Sequence, residues 1–242
     1  MHLVPALVCA TVGAASGALA PRLIGAVPDI EPDPSENPED FPELVPFAVL
    51  ASWPWLRTVL TLIGAFGAAV LGAVFGLVWG VSFFLVALPY ALALAAIDYT
   101  VWFLPNRLIY PAAVAVGVMV VAAAITLQLP AVIVHSLLGG LGLMAWYGAF
   151  WLLSPRSLAL GDVKLGGLLG LMLGPFGFSA TVLSVLAAAV VSLVSLIPMR
   201  ILGNTINQGG TSGVMRAHVP FGPSMILGAW ISVLVARALG TA

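Results

Sequence analysis

The segment "LRTVLTLIGAFGAAVLGAVFGLVWGVSFFLVALPYALALAAI", residues 56–97, carries a single charge, Arg57, near its start. A helix rises ~1.5 Å per residue, so crossing a ~30 Å hydrocarbon layer takes about 20 apolar residues. The segment therefore reads as two membrane spans, 56–77 and 80–97, and the rest of the chain repeats the pattern. Of 242 residues, 62% are hydrophobic and 7% charged, with a mean hydropathy of +1.15. Such a composition excludes a soluble globular domain. The runs are long and do not alternate, which excludes a transmembrane barrel and predicts an all-α polytopic bundle.

Turn residues divide the apolar runs into eight spans, near 3–20, 56–77, 80–97, 108–128, 131–153, 163–177, 178–199 and 219–239. Together they make one membrane domain over residues 1–242. The sixth, "KLGGLLGLMLGPFG", is short and Gly-rich, and reads as tilted or partly inserted. Residues 1–20 mimic a signal peptide, with "ALA" at 18–20 resembling a cleavage site. No basic residue precedes the run, however, and Arg22 follows it, so a retained helix is expected.

Lys and Arg resist translocation and mark the cytosolic side. Eight spans put Arg22, Arg57, Arg107, Arg156, Lys164, Arg200 and Arg216 on one side and only Arg237 on the other. The expected N-terminus is therefore outside. Making 163–177 a surface helix instead would move residues 200–218 across the membrane and spoil the asymmetry. Cys9 has no partner for an intrachain disulfide and reads as a packing residue. His2, His135 and His218 are too scattered to suggest a metal site.

Residues 21–55 form a cytosolic loop and interfacial segment. Its centre, "VPDIEPDPSENPEDFPELVP" at 27–46, holds too many prolines and acids for a packed core. "ASWPW" at 51–55 places tryptophan rings at the membrane surface. The loop reads either as a solvated linker or as an acidic lure for a basic partner segment.

Seven of the chain's nine acids lie in that loop; the others are Asp98 and Asp162. Both fall at the predicted cytosolic face, Asp98 ending the third span and Asp162 opening the sixth. A carboxylate beside hydrocarbon is costly, which makes each a candidate for function. The bland readings are a helix-start acid stabilised by the dipole, which suits Asp162, or interfacial anchors pairing with Arg107 and Lys164. Asp98 suits the dipole badly, since a helix C-terminus is its negative end. In the sharper reading, packing joins the two acids so that they share a proton and hydrolyse a peptide bond, one as base and the other as acid. Pro105 ends a helix after Leu104, Gly161 permits close backbone approach, and "HVPFGPSMILGAW" brings irregular backbone to the same face. A proton-coupled transporter is an alternative, although transporters place such groups near the midplane.

Three ordered blocks between residues 95 and 230 resemble the type IV prepilin peptidases, bacterial members of the GxGD membrane aspartyl proteases. They are "AAIDYTVWFLPNRLIYP", "ALGDVKLGGLLGLMLG" and "VPFGPSMILGAW". The resemblance implies a helical bundle in the cytoplasmic membrane that removes the basic leader of prepilin-like proteins at the cytosolic face. Asp98 and Asp162 match its catalytic aspartates. Leu104, Pro105, Asn106, Gly161, Lys164, Pro220, Phe221, Gly222 and Pro223 match the residues around them. Ala159 stands where the family motif begins with glycine. The acidic loop stands where many members carry a cysteine-rich zinc domain and also N-methylate the product. The expectation is thus a peptidase without methyltransferase activity, metal or cofactor, whose partners are the basic-leader substrate and the bilayer, not nucleic acid. An inactive scaffold of a pilus or secretion system is the remaining alternative.

If the acidic loop draws in a basic leader, deleting residues 29–43 weakens leader processing more at low salt than at high salt. An equal loss at both ionic strengths, measured by cleavage rate, speaks for a linker.

Overall fold

The computed structural model describes residues 2–29, 44–154, 158–201 and 220–241. Among these the chain forms nine α-helices and no strand. They are α1 Leu3–Gly25, α2 Phe47–Ser52, α3 Pro54–Phe75, α4 Trp79–Val101, α5 Asn106–Thr126, α6 Ala131–Leu153, α7 Leu160–Leu173, α8 Phe178–Ile201 and α9 Gly222–Ala238. A 3₁₀ turn, Gly174–Phe176, follows α7. Each of the eight expected spans coincides with a helix, and α2 is an additional short one. Six helices (α1, α3, α4, α5, α6 and α8) are long and apolar enough to cross a membrane, so the protein is an all-α polytopic bundle. The other two are shorter, 14 residues for α7 and 17 for α9.

α7 is not a surface helix. Leu165 and Leu173 are fully buried, and the helix packs among α4, α5, α6 and α9. Its length gives a rise of only ~21 Å, so it lies inside the bundle as a partial span.

Lipid tails are as apolar as leucine, so helices in a membrane associate chiefly through close packing and hydrogen bonds. The α1–α3 pair shows how. Gly13 meets the backbone of Gly64, Gly17 meets that of Leu60, and Gly72 meets Pro5 and Cys9. Cys9 is accordingly a buried packing residue. The same device joins α6 to α7, where Gly139 faces Gly170, and α8 to α9, where Gly228 faces Ser184 and Ala188. Between these pairs stands α4. Half of its most apolar stretch is buried, against 22–39% for the other five membrane-length helices, which makes α4 the central element.

Short connections alternate the helix directions and gather particular ends. The start of α1 meets the end of α3 through His2 N–H and the Ala73 carbonyl (3.2 Å). The end of α3, the start of α4 and the 3₁₀ turn share the ring cluster Phe75, Phe84 and Phe176. The end of α4 and the starts of α5, α7 and α9 consequently lie at the opposite end of the bundle. Of the basic residues whose side chains are described, Arg22, Arg57, Arg107 and Lys164 belong to that end and Arg237 to the other. Arg156, Arg216 and the side chain of Arg200 lie outside the described residues.

Residues 30–43, most of the acidic loop, also lie outside the described residues. Asp29, at the loop's start, accepts a hydrogen bond from Phe47 N–H (2.7 Å), the first residue of α2. That contact joins the loop's two ends, and Phe47 and Leu50 are buried beside it. Trp53 and Trp55 follow, their ring centroids 5.3 Å apart.

Close packing makes specific demands on the glycines. Gly17→Val is expected to force α1 from α3 and lower stability by about 1–3 kcal/mol. Gly117→Ala, on an α5 face with nothing within 4 Å, is expected to leave stability unchanged or raise it slightly. Thermal unfolding in detergent distinguishes the two.

Candidate active site

The site begins with the way α4 ends. Trp102 adopts the left-handed conformation (φ 53°, ψ 42°), and its N–H donates to the Asp98 carbonyl at 3.0 Å. A non-glycine residue there is strained, by about 1–3 kcal/mol, and such strain concentrates at functional sites. Pro105 disfavours a helical Leu104 and caps the start of α5. Asp98 is thus held in the last turn of α4, at the negative end of its dipole.

Its side chain escapes that end by crossing to another helix. Asp98 Oδ2 accepts a hydrogen bond from the N–H of Gly222, the first residue of α9, at 2.9 Å. Pro223 has no N–H to offer, so Gly222 supplies the donor next to the carboxylate. The position also requires glycine: a Cβ there would lie 2.8 Å from Asp98 Oδ2 and 3.2 Å from its Cγ.

Asp162 is the third residue of α7 and reaches back to accept a hydrogen bond from Ala159 N–H at 3.0 Å. The contact is half of a capping box, since alanine has no side-chain acceptor to return. Ala159 itself is exposed and extended (φ −87°, ψ 155°), a conformation open to any residue. The departure from glycine at this position therefore imposes no backbone strain.

Both carboxylates are buried, 5% exposed for Asp98 and 6% for Asp162, and they interact electrostatically. Each is held through Oδ2. Among the described residues no other hydrogen bond reaches either, so the two Oδ1 atoms are uncommitted. Leu104 fills the space between the two glycines: its Cβ lies 2.8 Å from where a Gly161 Cβ would stand, and its Cδ2 3.3 Å from one at Gly222. Gly161 was expected to admit a close backbone approach. The partner it admits is the chain's own Leu104.

Other expected site residues form a rim. Lys164 Nζ donates to Asn106 Oδ1 at 2.9 Å and lies 5.9 Å from the Tyr110 ring centre, turning to these groups rather than to either aspartate. Pro105 and Pro220 are buried beside the segments they shape. Phe221 packs its ring against Tyr147, 6.0 Å between centroids. His218 and Val219 lie outside the described residues. Sequence reasoning missed Tyr147, a buried residue of α6 that interacts electrostatically with Asp162. The signal was its spacing with Val132, Ser136, Gly139, Gly140 and Leu143, which share its helix face.

No protein-family model, curated protein or solved structure matches this chain.

Gly222 and Asp98 form a coupled pair. Gly222→Ala is expected to displace the carboxylate and cost about 1–3 kcal/mol, but distinctly less when Asp98 is already alanine. A double-mutant cycle of thermal unfolding measures the difference, and additive costs would mean that the contact carries no energy.

Proposed function

We propose that the protein is a membrane aspartyl endopeptidase that cuts the basic leader from prepilin-like proteins. The observation that carries this reading is the meeting of Asp98 and Asp162. Sixty-odd residues separate them in sequence, yet both are buried at one end of the bundle, each with one oxygen that takes no hydrogen bond among the described residues. The three sequence blocks that resemble prepilin peptidases converge on the same place.

Two buried carboxylates in one site resist simultaneous ionisation and hold one proton between them. The ionised member takes a proton from a water whose oxygen attacks the amide carbonyl carbon. The protonated member donates to the carbonyl oxygen as the tetrahedral centre forms. The first aspartate then passes its proton to the amide nitrogen, the C–N bond breaks as a hydroxyl of the tetrahedral centre returns a proton to the second, and a carboxylic acid and an amine leave. The pair again holds one proton, ready for another turnover.

Four basic residues at the carboxylate end support a cytosolic orientation in the cytoplasmic membrane, where a basic leader also resides. Placement at helix ends, away from the midplane, favours hydrolysis over proton-coupled transport. A scaffold has no use for two carboxylates tethered by separate helix starts. The site calls on neither cofactor nor metal in this mechanism, and no residues are assigned to methyl transfer.

Co-expression with a prepilin-like substrate tests the reading. Asp98→Asn and Asp162→Asn are each expected to reduce leader cleavage to background at normal membrane levels. Retained cleavage in either variant removes that residue from the mechanism.

A further inference from the structure

Tyr147 is a further polar residue within electrostatic reach of Asp162, and two contacts fix its ring. It is 5% exposed on α6. A Cβ at Gly166, one helical turn along α7 from Asp162, would lie 2.5 Å from its Cδ2, so only glycine leaves room for the ring. Phe221, which directly precedes the Asp98 anchor Gly222, meets it edge-on at an interplanar angle of 69°. The ring is thus lodged between the α7 face that carries Asp162 and the backbone that holds Asp98.

The hydroxyl is less settled than the ring. Among the described residues it makes no hydrogen bond, although it lies within electrostatic reach of Asp162. It is also not sealed off: the fully enclosed side-chain oxygen without a partner among these residues is Ser136 Oγ. Phenylalanine would fill the same ring space, and a hydroxyl that is not enclosed carries little burial cost, so the oxygen is not needed for packing. The geometry suits a partner that arrives from outside, between Tyr147 and Asp162.

We propose that Tyr147 is a catalytic residue of this site, its hydroxyl donating a hydrogen bond to the carbonyl oxygen of the scissile amide. The inference rests on the peptidase reading and deepens it. As water adds to the carbonyl carbon, negative charge gathers on that oxygen, and the phenol stabilises it while keeping its own proton. The protonated aspartate is one donor and Tyr147 the second. A fixed donor aimed at developing charge in a dry site contributes chiefly to the transition state and little to ground-state binding.

The test is Tyr147→Phe in the full chain, assayed with a purified prepilin-like substrate. Because the ring is kept, the melting temperature is expected to match wild type. The expected result is a kcat lower by about 10²–10³-fold with KM unchanged, the usual effect of losing one such donor. Affinity for a hydroxyl-bearing transition-state analogue should fall with kcat. An unchanged kcat, or a loss confined to KM, overturns the proposal while leaving the aspartates in place. A Tyr147→Phe chain that fails to fold makes the hydroxyl structural and also overturns it. If wild type itself cleaves nothing, the peptidase reading falls and takes Tyr147 with it.

Discussion

A backbone N–H at the start of α9 holds the carboxylate of Asp98, and the arrangement of the site depends on that bond. In the last turn of α4 this acid faces its own helix's negative end, surrounded by apolar side chains. Alone it would be a cost. The positive end of α9 reverses the local field and supplies a donor, so a poor position on one helix becomes a good one between two. Asp162 uses the same physics within its own helix, at the third position of α7. The two carboxyl groups are therefore held by separate helix starts, and this lowers the cost of placing two acids in one buried region.

That arrangement places demands on packing elsewhere. α9 must approach α4 closely enough for a main-chain contact, which excludes a side chain at position 222. α7 must enter the bundle beside the loop from α4 to α5, which excludes one at position 161 and leaves Leu104 to close the gap. Glycine contacts between α1 and α3, α6 and α7, and α8 and α9 build tight pairs around α4. In lipid this closeness takes the place of the hydrophobic drive that assembles soluble cores.

Much of the fold was legible in residue order because the bilayer is a strict solvent. Backbone groups must be satisfied within each span, so an apolar run such as residues 80–97 has little choice but helix. α2 escaped notice because six residues carry too short a pattern, and Asp29, which anchors its start, lies eighteen positions away. The limits of α7 were also hard to read, since its glycines suit both a tilted span and a partial one. Within the site, Asp98 and Asp162 stood out because charge is so scarce. Tyr147 did not, because a tyrosine on an apolar helix face looks like any other packing ring.

Residue order alone determined the membrane class, the placement of the long helices, the clustering of positive charge and the two acids worth attention. These follow from composition and local period, which are properties of each segment by itself. The tertiary structure decided that Asp98 lies at the start of α9, that Leu104 closes the space beside Gly161, and that Tyr147 comes within electrostatic reach of Asp162. Each of these joins segments far apart in the chain through contacts of a few ångströms. Their energies depend on how whole helices pack, and local pattern carries no record of that.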